Sequence, residues 1–160
     1  ALVLSSRYDW ALLVLAAANL SDIADGLVAR YFKQETSFGI ALDPIADKIL
    51  LVTGFLILSS HQILPWWLSI LVLTRDLGIL ATALLISLVA GFRPFPPSAF
   101  GKVSTVSQMS VLLLALASNT TLASFAAPLK APSIYLAAGM TLLSGVHYLI
   151  LWRTYLRTKV

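Results

Sequence analysis

Cysteine is absent from the chain, histidine occurs twice, and acidic residues number seven in 160. The first absence excludes disulfide staples and every thiolate-based zinc, iron or nucleophile site. The scarcity of charge excludes more. Charged residues make up 11% of the chain against 59% hydrophobic ones, whereas a soluble globular domain carries charge on roughly a quarter of its residues. A water-soluble fold is therefore ruled out and a membrane protein remains. The eleven basic residues are too scattered to form a nucleic-acid surface, so no nucleic-acid partner is expected.

What the chain does contain is long apolar runs. A window of about 19 residues predicts spans near 9–29, 39–60, 63–91, 102–126 and 132–152. Breaks at 33–37, at 59–62 and at Arg93-Pro94-Phe95-Pro96-Pro97 separate the first four, because polar clusters and consecutive prolines do not continue a helix. Each span has helical length and is rich in Leu, Ala and Val; the alternating strands of a membrane barrel are missing from the pattern. The expected fold is all-α, a polytopic transmembrane helical bundle forming a single domain over 1–160, with residues 1–6 reading as the end of a further apolar segment. Alternating the spans puts Arg30, Lys33, Lys48, Arg93, Lys102, Arg153, Arg157 and Lys159 on one side of the bilayer and Arg7 and Lys130 on the other. The positive-rich side is predicted to be cytoplasmic. Trp66 and Trp67 fit an interfacial belt, and Gly139 and Gly145 are expected to let helices pack closely.

Five of the seven acids fall between positions 22 and 47, and four of them, Asp22, Asp25, Asp43 and Asp47, form two close pairs. Ionisable groups in membrane spans are expensive and mark function by default. Spacings of three and four place each pair on one face of its helix, and two such pairs can face each other across a helical hairpin. Carboxylates at close quarters repel unless a cation intervenes, and an all-oxygen donor set suits Mg²⁺, Mn²⁺ or Ca²⁺ rather than zinc. Gly26 leaves bare backbone beside the cations, Gly39 does the same at the next helix, and Arg30 supplies a fork of donors for a phosphate. Carboxylates, divalent metal, bare backbone and arginine together describe a phosphoryl-transfer site. A divalent-cation transporter is the alternative of another class, but it would need acids spread along a through-path, and these crowd at one membrane face.

The run Asp22-Ile23-Ala24-Asp25-Gly26-Leu27-Val28-Ala29-Arg30, then eight residues to Gly39, three to Asp43 and three to Asp47, matches D-x2-D-G-x2-A-R-x8-G-x3-D-x3-D without a departure. This pattern resembles that of the CDP-alcohol phosphotransferase family of integral membrane enzymes, and the likeness extends over nearly the whole chain. The resemblance implies a six-helix fold, with the first helix largely outside this sequence, and transfer of a phosphatidyl or similar group from a CDP-linked donor to an alcohol with release of CMP. By that likeness Asp22, Asp25 and Asp43 would be the principal ligands of a two-metal site holding Mg²⁺ or Mn²⁺, and Asp47 would contribute to it and act as the catalytic base. Gly26, Ala29, Arg30 and Gly39 would line the pocket of the CDP donor. Family members are often homodimers, in the bacterial inner membrane or the mitochondrial inner membrane, with the site facing the cytoplasm or matrix.

The acceptor has weaker signals. Arg75 lies inside the third span beside Asp76, Arg93 lies in the proline-rich loop, and Lys102, Thr105 and Gln108 follow at i, i+3 and i+6, expected on one face of the next helix. Arg75, Arg93, Lys102 and Thr105 are the candidate acceptor-binding residues. The stretch Gly101-Lys102-Val103-Ser104-Thr105-Val106-Ser107-Gln108 is similar to the cardiolipin synthase branch, which reads S-K-V-N-T-x2-Q; it has Gly101 like the phosphatidylglycerophosphate synthase branch, which reads G-K-x-K-T-x2-Q, but Ser104 where that branch has its second lysine. The likeness thus implies phosphatidylglycerol as acceptor beside the donor CDP-diacylglycerol, giving cardiolipin, with glycerol 3-phosphate as the alternative acceptor. Replacing Asp22, Asp25, Asp43 or Asp47 singly by alanine should nearly abolish CMP release while the purified protein keeps its helical circular dichroism; retained turnover would remove that residue from the site.

Overall fold

The computed structural model of the chain describes the backbone of Val3 and of residues 7–32, 37–90 and 99–157. Side chains are described for Val3 and for residues 7–18, 20, 21, 48–82 and 99–150. Five helices follow in order: α1 (Tyr8–Phe32), α2 (Ser37–Ser60), α3 (Trp66–Ala90), α4 (Ala99–Ala117) and α5 (Ala123–Arg157), with no strand among the described residues. The all-helical expectation is therefore met, and the five predicted spans correspond to five helices.

The turn between α2 and α3 shows how the chain reverses. Gln62 takes a left-handed φ of 60°, its amide donates to the Ser59 carbonyl at 3.0 Å, and the Ile63 amide donates to the Leu58 carbonyl at 2.9 Å. This pair of bonds is a Schellman cap, which satisfies carbonyls left over at a helix end. The cap's apolar contact is supplied by Ile63 and Leu58, both buried. Pro65 then precedes α3, where a residue without an amide proton costs nothing. Next to the turn, the Ser59 and Ser69 hydroxyls lie 2.6 Å apart, and Ser69 also donates to the Phe55 carbonyl at 3.3 Å.

The core is formed by Leu51, Phe55 and Leu58 of α2, Leu68 and Val72 of α3, Val111, Leu112 and Ala115 of α4, and Ala137 of α5. α4 is central, packing on α1, α2 and α5, while α3 packs on α2 and α5. Gly54 lets α2 approach α4: a Cβ there would lie 3.0 Å from Leu112 Cδ1. Outside this core, Leu13, Ile70, Leu80, Val106 and Leu143 are exposed. Large apolar side chains around the circumference suit lipid rather than water as the surrounding solvent. Among the described residues, Ala99–Ala117 and Ala123–Ile150 are long and apolar enough to cross a membrane.

Two expectations need correction. The fourth helix ends at Ala117, not near 126, and the fifth begins at Ala123, not near 132. The cause is a polar cluster. Ser118 Oγ and Asn119 Nδ2 donate to the Ala115 carbonyl at 2.8 and 2.9 Å, and Thr120 Oγ1 donates to the Ala117 carbonyl at 2.9 Å. Such side chains compete with the helical ladder and end it. Pro128 and Pro132 lie inside α5. Their spacing of four puts both missing donors on one exposed side, and the rest of the helix carries the chain past them. The second correction concerns Gly139 and Gly145, where a Cβ would meet nothing within 4 Å; neither allows a close approach within this chain.

The left-handed Gln62 carries a steric cost that glycine lacks. Gln62→Gly should stabilise the protein by about 0.5–1 kcal/mol, seen as a raised unfolding midpoint in detergent, whereas the β-branched Gln62→Val should lower it.

Candidate functional site

α1 and α2 run unbroken through the motif positions. Asp22 and Asp25, and likewise Asp43 and Asp47, therefore each share one side of a continuous helix. The side chains of these four, and of Gly26, Ala29, Arg30 and Gly39, lie outside the described residues, as does Arg93 altogether. Among the described residues no group of His, Asp and Glu could hold a metal ion. The donor set offered by the motif remains four carboxylates on two helices, which is the chemistry that a hard divalent cation requires.

Beside the motif the polar side chains converge. Lys48, directly after Asp47, places Nζ 2.6 Å from Oδ1 of Asp76, and the Arg75 guanidinium donates to the same oxygen at 2.7 Å. The other arm of Arg75 donates to Ser144 Oγ on α5 at 2.6 Å. Asp76 and Arg75 are nearly sealed from solvent, with side chains 4% and 6% exposed, while Lys48 keeps 31%. Burying charge is tolerated only when it is paired. Here one acid holds two bases, so α2, α3 and α5 are joined by a single polar node.

The node forms part of the wall of a cavity of about 390 Å³ that is completed by Lys102 and Thr105 of α4 and Tyr148 of α5. Three of the four candidate acceptor residues, Arg75, Lys102 and Thr105, thus share one space. The Thr105 hydroxyl donates to the Gly101 carbonyl at 3.1 Å, which leaves its oxygen as an acceptor. Lys48 and Arg75 share the one acid Asp76 and Lys102, exposed at the cavity, is in no ion pair with it, so the described wall is positive on balance.

Gln108 does not join them. It is fully buried and donates to Ser104 Oγ at 3.2 Å and to Thr141 Oγ1 of α5 at 3.0 Å. At 100° per residue, six positions turn a side chain about 120° away from Lys102, which takes Gln108 out of the cavity and into the α4–α5 contact. Ser104, also fully buried, faces Thr141 at 3.4 Å. The position that separates the two family branches therefore lies against α5 in this chain rather than in the cavity wall.

Sequence reasoning counted Lys48 only as a positive charge and passed over Ser144 and Tyr148. A lysine inside an apolar helix needs a partner, and that need was a usable signal for Lys48. Nothing in the local sequence marks Ser144. A second cavity of about 340 Å³ opens between α1, α2 and α4, lined by Ala18 and Leu15, by Leu50, Gly54 and Ile57, and by Leu112. Thr53 is its one polar side chain among the described residues. It begins one turn from Asp22 on α1 and one turn from Asp47 on α2, on the core side of the motif.

The described helices thus set a basic cavity beside the segment that carries the four-carboxylate motif. The chain belongs to the CDP-alcohol phosphatidyltransferase family, whose sequence model matches residues 1–157. It is 34% identical over 142 residues to a probable phosphatidylglycerophosphate synthase of Mycobacterium tuberculosis, covering 87% of this chain and 63% of that protein. It is 36% identical over 115 residues to a cardiolipin synthase (CMP-forming) of Streptomyces coelicolor, covering 69% of this chain and 51% of that protein. Identity to a CDP-diacylglycerol–glycerol-3-phosphate 3-phosphatidyltransferase of Bacillus subtilis is 28% over 131 residues, covering 82% of this chain and 67% of that protein. The chain thus spans about half to two thirds of the length of these relatives.

The different neighbourhoods of Gln108 and Lys102 separate a packing role from a binding one. Thr141→Val should cost about 0.5–1.5 kcal/mol in unfolding measured in detergent, because it strips Gln108 of a partner, and should leave the acceptor KM unchanged. A KM shift as large as that of a Lys102 variant would place Gln108 in the site.

Proposed function

We propose that this chain is the catalytic part of a phospholipid-synthesising transferase that moves a phosphatidyl group from CDP-diacylglycerol to a hydroxyl of phosphatidylglycerol, giving cardiolipin and CMP. The supporting observation is the cavity of Lys48, Arg75, Asp76 and Lys102, which abuts the end of α2 that carries Asp47. It sets a place for an anionic alcohol next to the carboxylate motif.

Asp22, Asp25 and Asp43 would hold the divalent ions, Mg²⁺ or Mn²⁺, with Asp47 contributing. When bound, these ions neutralise the donor's diphosphate and the charge that develops on the departing CMP. Gly26, Ala29 and Gly39 would give the cytidine diphosphate close access to the backbone, with Arg30 on its phosphate. Asp47 takes the proton of the attacking hydroxyl, whose oxygen bonds to the phosphorus bearing diacylglycerol as the bond from that phosphorus to CMP breaks. No covalent enzyme intermediate is needed, since the motif pairs no Ser, Cys or His with an activating base. The apolar cavity between α1 and α2 suits the donor's hydrocarbon, and the spans would place the site at the cytoplasmic or matrix face of an inner membrane.

Phosphatidylglycerol is favoured over glycerol 3-phosphate by the likeness of residues 101–108 to the cardiolipin synthase branch, with Ser104 where the other branch carries a second lysine. Three cations, Lys48, Arg75 and Lys102, stand against one acid, Asp76, in the described cavity wall and attract either anion. The names of the Mycobacterium tuberculosis and Bacillus subtilis relatives favour the second reading, with glycerol 3-phosphate as acceptor.

Purified full-length protein, given labelled CDP-diacylglycerol and Mg²⁺ or Mn²⁺ in mixed micelles, should release CMP and form cardiolipin with phosphatidylglycerol. Chelation should stop it, and Lys102→Met should raise the acceptor KM about tenfold or more. Turnover with glycerol 3-phosphate alone would keep the mechanism and overturn the acceptor. No CMP release with either would overturn the assignment.

A further inference from the structure

In the wall of the basic cavity three buried polar atoms have no hydrogen-bond partner. Lys48 Nζ is ion-paired with Asp76 Oδ1; the other two, Nε of Arg75, a donor, and Oδ2 of Asp76, an acceptor, have no partner of either kind. They belong to adjacent residues that both line the cavity. Their side chains are 6% and 4% exposed, so bulk water does not satisfy them. A buried donor or acceptor left unmade costs more than a made bond gains, and in native proteins such groups are matched by a ligand or an ordered water. The remaining polar atoms of the node are committed: both arms of the Arg75 guanidinium and Oδ1 of Asp76 are bound within the protein.

The chemistry of the vacant pair selects its ligand. Oδ2 of an ionised carboxylate only accepts and repels a phosphate oxygen, so an anion does not fit against it. An ammonium ion would find no acceptor at Nε. A hydroxyl both donates and accepts, and satisfies the two together. Lys102 stands in the same cavity on α4 and is free to meet an anion. The cavity is thus divided into a neutral-hydroxyl end on α3 and an anion end on α4.

We infer that Arg75 Nε and Asp76 Oδ2 bind a second, unreacting hydroxyl of the acceptor, so that the site selects a 1,2-diol whose far carbon carries a phosphate ester. This rests on the proposed transferase reading and deepens it. Glycerol 3-phosphate and the glycerol headgroup of phosphatidylglycerol share that diol end: one hydroxyl attacks the donor, and its neighbour is held by Arg75 and Asp76. Holding it orients the attacking oxygen toward the Asp47 end of α2, because Asp76 is itself anchored to Lys48.

The test compares acceptors that differ only in the neighbouring hydroxyl: glycerol 3-phosphate against 3-hydroxypropyl phosphate, and phosphatidylglycerol against phosphatidyl-1,3-propanediol, each with CDP-diacylglycerol and Mg²⁺. In the unaltered protein kcat/KM should fall about ten- to a hundredfold when the hydroxyl is missing, the worth of a hydrogen bond to a charged group, and the pair that turns over identifies which source of the diol is used. In Arg75→Lys and Asp76→Asn that ratio should shrink toward one, whereas a purely structural role would lower both acceptors equally and leave the ratio intact. Equal rates in the unaltered protein, or an unchanged ratio in folded variants, would overturn the hydroxyl site while leaving the transferase standing. Absence of CMP release with all four acceptors would overturn the transferase reading and this inference with it.

Discussion

One carboxylate oxygen, Oδ1 of Asp76, holds two cations that an apolar bundle would otherwise not accommodate. Lys48 reaches it from α2, Arg75 reaches it from the preceding position on α3, and Arg75 passes the link to Ser144 on α5. Charge desolvated to this degree is stable only as a group, because removal of the acid would leave two buried bases facing each other. The demand is also geometric. To keep Lys48 on Asp76, α2 has to hold one rotation and one height against α3, and the segment of α2 that begins next to Lys48 is the one that carries Asp43 and Asp47. The polar node thus serves the carboxylate motif from outside it.

The helices were legible from hydropathy alone, because each needs an apolar run of membrane-spanning length and nothing else about the chain competes with that signal. Their ends were less so. The α4–α5 turn was set by Ser118, Asn119 and Thr120 bonding to carbonyls three or four residues back, a local effect that a hydropathy window of about 19 residues averages away. The carboxylate motif was legible because spacings of three and four are geometric statements in a helix. Membership of Arg75, Lys102 and Thr105 in one cavity could be expected only from likeness, since the three come from two helices whose relative rotation no sequence pattern states. Gln108 shows the limit: three residues beyond Thr105, it belongs to a different surface.

The bundle separates its tasks along its length. At one end lie the motif, the ion-paired node and Lys102; toward the α2–α3 turn the described wall between α1, α2 and α4 is apolar but for Thr53. A molecule with a charged head and a hydrocarbon tail meets both environments in the order in which it is built. Among the described residues Lys48, Arg75 and Asp76 are tied to one another, and the core of the bundle stays apolar for packing.

α5 is not uniform along its course. Pro128 and Pro132 remove two rungs from its hydrogen-bond ladder near the start, whereas Thr141 and Ser144 further on are fixed to Gln108 and Arg75. The helix is therefore compliant where it leaves the α4 turn and stiff where it meets the polar node. Bilayer thickness or curvature acting on the far face can be absorbed as bending within the proline segment, and the spacing of charges at the opposite end is insulated from it.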